Sequence, residues 1–291
     1  MNVLMPTSLS EACAFCAKQP DLIPLAGATD LLVHWPIHPA EHDKSYLDLS
    51  HVQELRTIGW ASGTLTLGAL ATYWDVLQDG RAKSEFPLLL EAARQVGAIQ
   101  IQSRGTWAGN IANGSPAADG VPVLMAYDAS VTLTSAGGSR SVPLHEYYTG
   151  YRKSVRRPDE LISAISMPIR KYDFSVFHKV GARRAQAITK IGVAITRESE
   201  APSLGEGVGG RENFHPWRVV ANSVSATVKR CTAVEQLLQS NSPVRKPEDF
   251  LPALASDVSP IDDIRSTADY RRTVLARLLY HSLRNVAPAV T

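Results

Sequence analysis

The sequence predicts an α+β protein, and three observations predict it. Two small-residue dipeptides, Ser62-Gly63 and Gly137-Gly138, separate stretches of period-2 patterning and read as antiparallel hairpins. Apolar residues recur at helical spacing in Leu9, Ala12, Cys13 and Cys16, and again in Leu89, Ala92, Ala93 and Val96. Strands and helices otherwise alternate without the regular βαβ repeat that a doubly wound sheet needs. A chain of 291 residues is long enough for two domains with real cores. With 44% hydrophobic and 20% charged residues, its composition is that of a soluble globular protein.

The elements follow in order. Ser8 and Glu11 form a capping box at the start of the helix near 8–18. Leu22, Ile23 and Leu25 make a short buried strand that breaks at Gly27, where Thr29 or Asp30 can cap a helical turn. Tyr46, Leu47 and Leu49 in "SYLDLS" are strand-like. The first hairpin lies in "LRTIGWASGTLTLGA", followed by the 89–96 helix and then by "SRGTWAGNIANGSPAADG", Ser103 to Gly120, which reads as a long loop of small residues. Loops of that length are more often functional than slack. The second hairpin is "VTLTSAGGSRSV", and "DELISAISMP" is a strand ended by Pro168. Beyond a boundary at Ile169–Tyr172 come the strands of "KYDFSVFHKVG", "ITKIGVAITRE" and "WRVVANSVSATV". A long helix, "DYRRTVLARLLYHSL", closes the chain with Leu275, Leu278 and Leu279 on one side. The Gly-rich stretch Ser199 to Asn213 has little to bury and reads as a mobile surface connection.

Composition excludes several function classes. A formal charge of +2 with dispersed basic residues gives no nucleic-acid stripe. No apolar run approaches the roughly 20 residues of a membrane span, and "MNVLMPTSLSEA" has no secretory pattern, so the expected location is cytoplasmic. Cys13 and Cys16 form a CxxC, a metal or redox spacing. They also lie on the buried stripe of the first helix, and only Cys231 remains elsewhere. Packing is the favoured reading. His34, His38 and His42 are spaced like helical metal ligands, but Pro36 and Pro39 interrupt that helix.

Two places carry chemistry. "LAGATD" and "GTWAGN" are strand-to-loop junctions whose small residues leave backbone N–H groups open, the material of an anion-binding concavity. Neither is a Walker A loop or a GxGxxG fingerprint. Each alone is more often a plain turn; the pair is the stronger signal and reads as a phosphate or dinucleotide site.

The order "PLAGATDLL", "GAIQIQSRGTWAGNIANGSPAADGVPVLMAYDA", "PDELISAISMP", "FHKVGARRAQAITKIGVAI" resembles the FAD-binding medium subunits of molybdenum hydroxylases, the xanthine dehydrogenase and carbon monoxide dehydrogenase type. "PIDDIRSTADYRRTVLARLL" looks like the end of that family's C-terminal domain. The resemblance implies a PCMH-type FAD-binding domain over 1–171, with subdomains of about 1–55 and 56–171. A smaller α+β domain like the CO dehydrogenase flavoprotein C-terminal domain would occupy 172–291. It implies non-covalent FAD. Pro24, Leu25, Ala26, Gly27, Ala28, Thr29, Asp30 and Leu31 would form the first pyrophosphate loop. Gly105, Thr106, Ala108, Gly109, Asn110 and Ala112 would belong to the second. Ser115 and Asp119 match the family's "SPxxD" positions, where the acid suits ribose-like hydroxyls. Ile101 would lie near the flavin ring, Leu161 and Ile162 on the adenine side, and Lys179 matches a flavin-proximal lysine.

The same resemblance implies an electron-transfer subunit of a multi-subunit oxidoreductase. Its partners would be a large molybdenum-cofactor subunit and a small 2Fe–2S subunit, in a dimer of heterotrimers, and electrons would pass from the 2Fe–2S clusters through FAD to an external acceptor. The sequence departs from the family at Ala28 and Ala108, where paired glycines are frequent, at Gln102 and at Gln186-Ala187-Ile188. Three residues keep a plainer reading. Trp107 packs on its own domain as readily as it covers a cofactor, Asp119 caps a helix beginning at Val121, and Lys179 alone is a solvated lysine. Two other functions compete: a self-contained flavin-dependent reductase, and an assembly subunit that has lost FAD.

Overall fold

The computed structural model describes residues 2–35, 44–199, 216–240 and 242–290. His38, His42 and most of the Gly-rich 199–213 stretch lie outside them. Strand β1 (Asn2–Leu4), helix α1 (Leu9–Lys18), β2 (Ile23–Leu25) and β3 (Ser45–Asp48) open the chain, and the strands form a parallel sheet in the order β1-β3-β2. Ser8 Oγ accepts from Glu11 N, but the Glu11 carboxylate accepts from Thr7 N rather than Ser8 N, so half of the capping box forms. Cys13 and Cys16 are buried on the inner stripe of α1. Burial raises both thiols, Cys16 to about 11, which suits packing rather than thiolate chemistry.

Strands β4 (Ile58–Ala61) and β5 (Thr64–Gly68) are the first hairpin. Ser62 and Gly63 both have positive φ, as the turn requires. Six helices follow: α2 (Tyr73–Gln78), α3 (Gly80–Glu85), α4 (Pro87–Gln95), α5 (Ile99–Gln102), α6 (Trp107–Asn113) and α7 (Gly120–Ala126). Then come β6 (Ser130–Ser135), β7 (Gly138–Pro143), α8 (Leu144–Tyr147), the small β8 (Tyr148–Gly150) and β9 (Lys153–Ser154) pair, and β10 (Leu161–Pro168). The sheet order is β4-β5-β10-β6-β7, all antiparallel. Ser135 pairs with Gly138, so the second hairpin turns at Ala136-Gly137, one residue earlier than expected.

The third sheet is β11 (Tyr172–Gly181), β12 (Thr189–Glu198), β13 (Trp217–Asn222) and β14 (Lys229–Arg230), antiparallel and in that order. Helices α9 (Thr232–Gln239), α10 (Leu251–Asp257) and α11 (Ala268–Leu283) complete the fold. This sheet is buried on both faces. Ile191, Val193 and Ile195 of β12 join Leu275 and Leu279 in the C-terminal core, while Ala194, with Phe177 and Val220, packs into the core of the preceding sheets. Period-2 geometry sends alternate residues to opposite faces, and here both faces are apolar. Each buried Val or Ile contributes about 1.5–3 kcal/mol, so both cores hold the sheet.

Candidate cofactor site

The first small-residue stretch leaves the parallel sheet after Leu25, which pairs with Asp48. The chain turns at Ala28, φ +57°, and Leu32 N donates to Ala28 O at 3.0 Å. Asp30 occupies the cap position of the short 3-10 turn that follows, yet its side chain makes no capping bond, and neither does that of Thr29. Among the described residues, the N–H groups of Ala28, Thr29 and Asp30 meet no acceptor of the chain. They form a run of open donors.

The second stretch is seated on the N-terminus of α2. Tyr73 N donates to Gly105 O at 3.2 Å, and Trp107 N donates to Ala71 O at 3.2 Å. The expected long loop contains helix α6. Thr106 caps it, accepting from Gly109 N at 2.9 Å, and Gly114 ends it at φ +61°. Small residues here serve close approach within a helix rather than slack. Ala108 is therefore helical and unstrained; of Ala28 and Ala108, Ala28 alone is left-handed.

The two stretches touch. A Cβ on Gly27 would lie 1.9 Å from Arg104 O, and one on Gly105 would lie 3.4 Å from Thr29 Oγ1. Glycine is required at 27 because backbone meets backbone there. Asn110 Oδ1 accepts from Gly120 N at 3.1 Å, and Ser115 Oγ accepts from Ala117 N at 3.2 Å, which fixes the segment after α6. Ala112 is exposed on α6, and Ile101 is half-buried on α5. Leu161 and Ile162 are buried in β10, the strand against which α6 packs. Trp107 is wholly buried, its ring 4.7 Å from that of Tyr73, so it packs on its own domain.

Asp119 and Lys179 meet. Lys179 Nζ donates to Asp119 Oδ2 at 2.7 Å and to Gln95 O at 2.7 Å, while the Thr189 hydroxyl donates to Asp119 Oδ1. Lys179 is thus a buried, paired lysine rather than a solvated one. Asp119 precedes α7 but gives it no side-chain cap. Burial raises the Asp119 carboxyl above its ordinary range, outweighing the lowering effect of Lys179 and of the hydrogen bonds it receives.

Sequence reasoning missed Thr189, Asn222, Ser223 and Arg271, the C-terminal residues that surround this segment. Among the described residues, the buried side-chain polar atoms without a hydrogen-bond partner are Tyr73 Oη, Trp107 Nε1, Asn222 Oδ1 and Arg271 Nε. Trp107 belongs to the second stretch, and Tyr73, at the start of α2, packs against it. Asn222 holds Ala118 O at 2.8 Å, and Arg271 holds Ser223, whose N–H donates to Pro116 O at 2.7 Å. Unpaired buried groups call for an explanation, and here they gather around residues 105–120. The open backbone N–H groups at 28–30, a buried lysine and the hydroxyls of this region are a donor set that fits an anionic dinucleotide.

Comparison with known proteins agrees. Residues 1–170 match the family model for the FAD binding domain in molybdopterin dehydrogenase, and residues 176–286 match the CO dehydrogenase flavoprotein C-terminal domain. The chain is 29% identical to the glyceraldehyde dehydrogenase medium chain of Sulfolobus acidocaldarius, covering 96% of each chain. It is also 29% identical to the xanthine dehydrogenase FAD-binding subunit of Escherichia coli O157:H7, covering 91% of this chain and 88% of that one. Carbon monoxide dehydrogenase from Hydrogenophaga pseudoflava has the same fold, with a TM-score of 0.83 at 23% identity over 99% of this chain and 96% of that one. The paired domain matches, in this order and over nearly the whole chain, place the protein among the FAD-binding medium subunits of the molybdenum hydroxylase family.

Proposed function

We propose that this oxidoreductase component passes electrons from the 2Fe–2S clusters of a small partner subunit, through non-covalently bound FAD, to an external acceptor. A large partner subunit carries the molybdenum cofactor where substrate is hydroxylated, and the complex is a cytoplasmic dimer of heterotrimers. The observation that carries the reading is the convergence of Gly27 on Arg104–Gly105, which joins two runs of small residues and open N–H groups.

FAD supplies the redox chemistry, taking up electrons in pairs and exchanging them singly. The chain's own residues bind and orient it. In this reading the 24–31 and 105–112 stretches hold the pyrophosphate, and Ser115 and Asp119 face the ribose hydroxyls. Ile101 lies toward the ring, with Leu161 and Ile162 toward the adenine. Lys179 keeps Asp119 in place and adds positive charge. The FAD-binding domain runs to residue 171, and the sheet from 172 onward completes the site.

The test is cofactor content. The purified chain should take up one FAD per molecule and release it on acid treatment, with neither molybdenum nor stoichiometric iron by metal analysis. A colourless protein that takes up no FAD would sink the reading. Hydroxylating activity should appear only on co-expression with the large and small partners.

A further inference from the structure

The segment Pro116–Asp119 belongs to the N-terminal part of the chain, but its carbonyl groups are held by the C-terminal sheet. Asn222, wholly buried at the end of β13, donates its amide to Ala118 O at 2.8 Å. Ser223, the next residue, donates its N–H to Pro116 O at 2.7 Å and its hydroxyl to Thr189 O at 2.9 Å. Thr189 in turn donates to Asp119. One short corner of the C-terminal sheet thus reaches this segment at three points, Pro116, Ala118 and Asp119.

That corner is itself built at some cost. Asn222 pairs in register with Gly192 on β12, and a Cβ at 192 would lie 2.1 Å from Asn222 Oδ1, so the side chain crosses over its neighbouring strand only because 192 is glycine. Ser223 is left-handed at φ +61°. Its carbonyl accepts from the buried Arg271 guanidinium at 2.6 Å, and the other arm of Arg271 donates to Asp263 at 2.7 Å. Asn222 Oδ1 and Arg271 Nε stay unpaired. Strained backbone and unsatisfied buried groups persist where the surroundings over-determine them, most often at functional sites.

We propose that Asn222 and Ser223 are positioning residues of the cofactor site, fixing the Pro116–Asp119 backbone so that this segment meets the adenosine half of FAD in one orientation. This rests on the FAD site described above. The C-terminal domain is then a working part of cofactor binding, and Arg271 with Asp263 braces the corner from behind.

The test uses the full-length chain. Asn222→Ala should weaken FAD binding about tenfold, equivalent to about 1.4 kcal/mol, at a temperature where far-ultraviolet circular dichroism shows the variant folded. At saturating FAD, the visible circular-dichroism bands of the bound flavin should differ from those of the wild type, a signature that loss of packing alone would not move. Gly192→Ala keeps Asn222 but displaces it, and should change the same bands in the same way. Should Asn222→Ala fail to fold, Asn222→Ser carries the same two readouts. A lowered melting temperature with unchanged affinity and unchanged flavin bands would overturn the proposal and leave the site standing. Failure of the wild type itself to take up FAD would remove the site and the proposal together.

Discussion

Ala28 shows what a single residue contributes to the site. Its φ of +57° is a conformation in which a Cβ crowds the following carbonyl, costing about 1–2 kcal/mol. Glycine removes that strain but adds unfolded-state entropy, so the net gain from Ala28→Gly is about 0.5–1 kcal/mol. The expected outcome is a melting temperature about 2 °C higher with FAD content undiminished, read by thermal denaturation and flavin absorbance. Ala108 offers no such gain, because it is helical. The small residues of the site were legible in the sequence, since few other structures call for so many glycines and alanines in a short stretch. Its C-terminal supports were not. Asn222 and Ala118 lie 104 positions apart, and no local spacing announces a hydrogen bond of that range.

At the scale of elements, the hairpins and the stripes of α1 and α4 could be read because local chemistry decides them. Helix α6 was hidden by its composition. Its seven residues include a glycine and two asparagines, poor helix formers, and the signal that could have revealed it was Thr106 as N-cap with Gly114 as terminator. The parallel sheet was equally obscure, because strands of three or four residues pair across long separations. The contact between the two stretches leads to a sharp expectation. Gly27→Ala places a Cβ within 1.9 Å of Arg104 O, and the backbone on that side cannot swing away as a side chain would. The stretches must part, so FAD uptake should be lost in a chain that still folds, with a melting temperature lowered by several degrees. Thr106→Ala should cost about 1 kcal/mol of stability through the lost cap and leave the contact between the stretches in place.

For the whole molecule, Asp128 joins the parts. It accepts from Arg170 at 2.7 Å, in the segment between the sheets, and from Arg218 at 2.9 Å, on β13. Burial alone would raise this carboxyl, but the hydrogen bond from Arg218 and the charges of Arg218 and Arg170 outweigh it and hold it below the ordinary range. A carboxyl with its folded pKa lowered contributes stability that is fully present above the unfolded value, near pH 4, and is lost as pH falls through the folded one. Asp128→Asn tolerates the positive φ of 51° but removes the negative charge shared by Arg170 and Arg218, leaving Arg170 paired with Glu198 alone. It should cost on the order of 2 kcal/mol near neutrality, below the 3–5 of fully buried pairs because these side chains keep 17–29% exposure. Melting curves of wild type and variant should differ by about 5 °C at pH 7 and begin to converge only as pH falls below about 4.

The sheet with two buried faces also sets a timetable. The ribosome delivers the chain from its N-terminus, so the apolar surfaces of α4 and α7 emerge long before Phe177, Ala194, Val220 and Val228, which cover them. Through that interval the first half of the protein carries an uncovered core, the condition under which nascent chains aggregate or recruit chaperones. Pulse-labelled nascent chains should become protease-resistant only after residue 228 has cleared the exit tunnel. Resistance of a chain stalled with its last emerged residue near 170 would show that the first half closes without its cover.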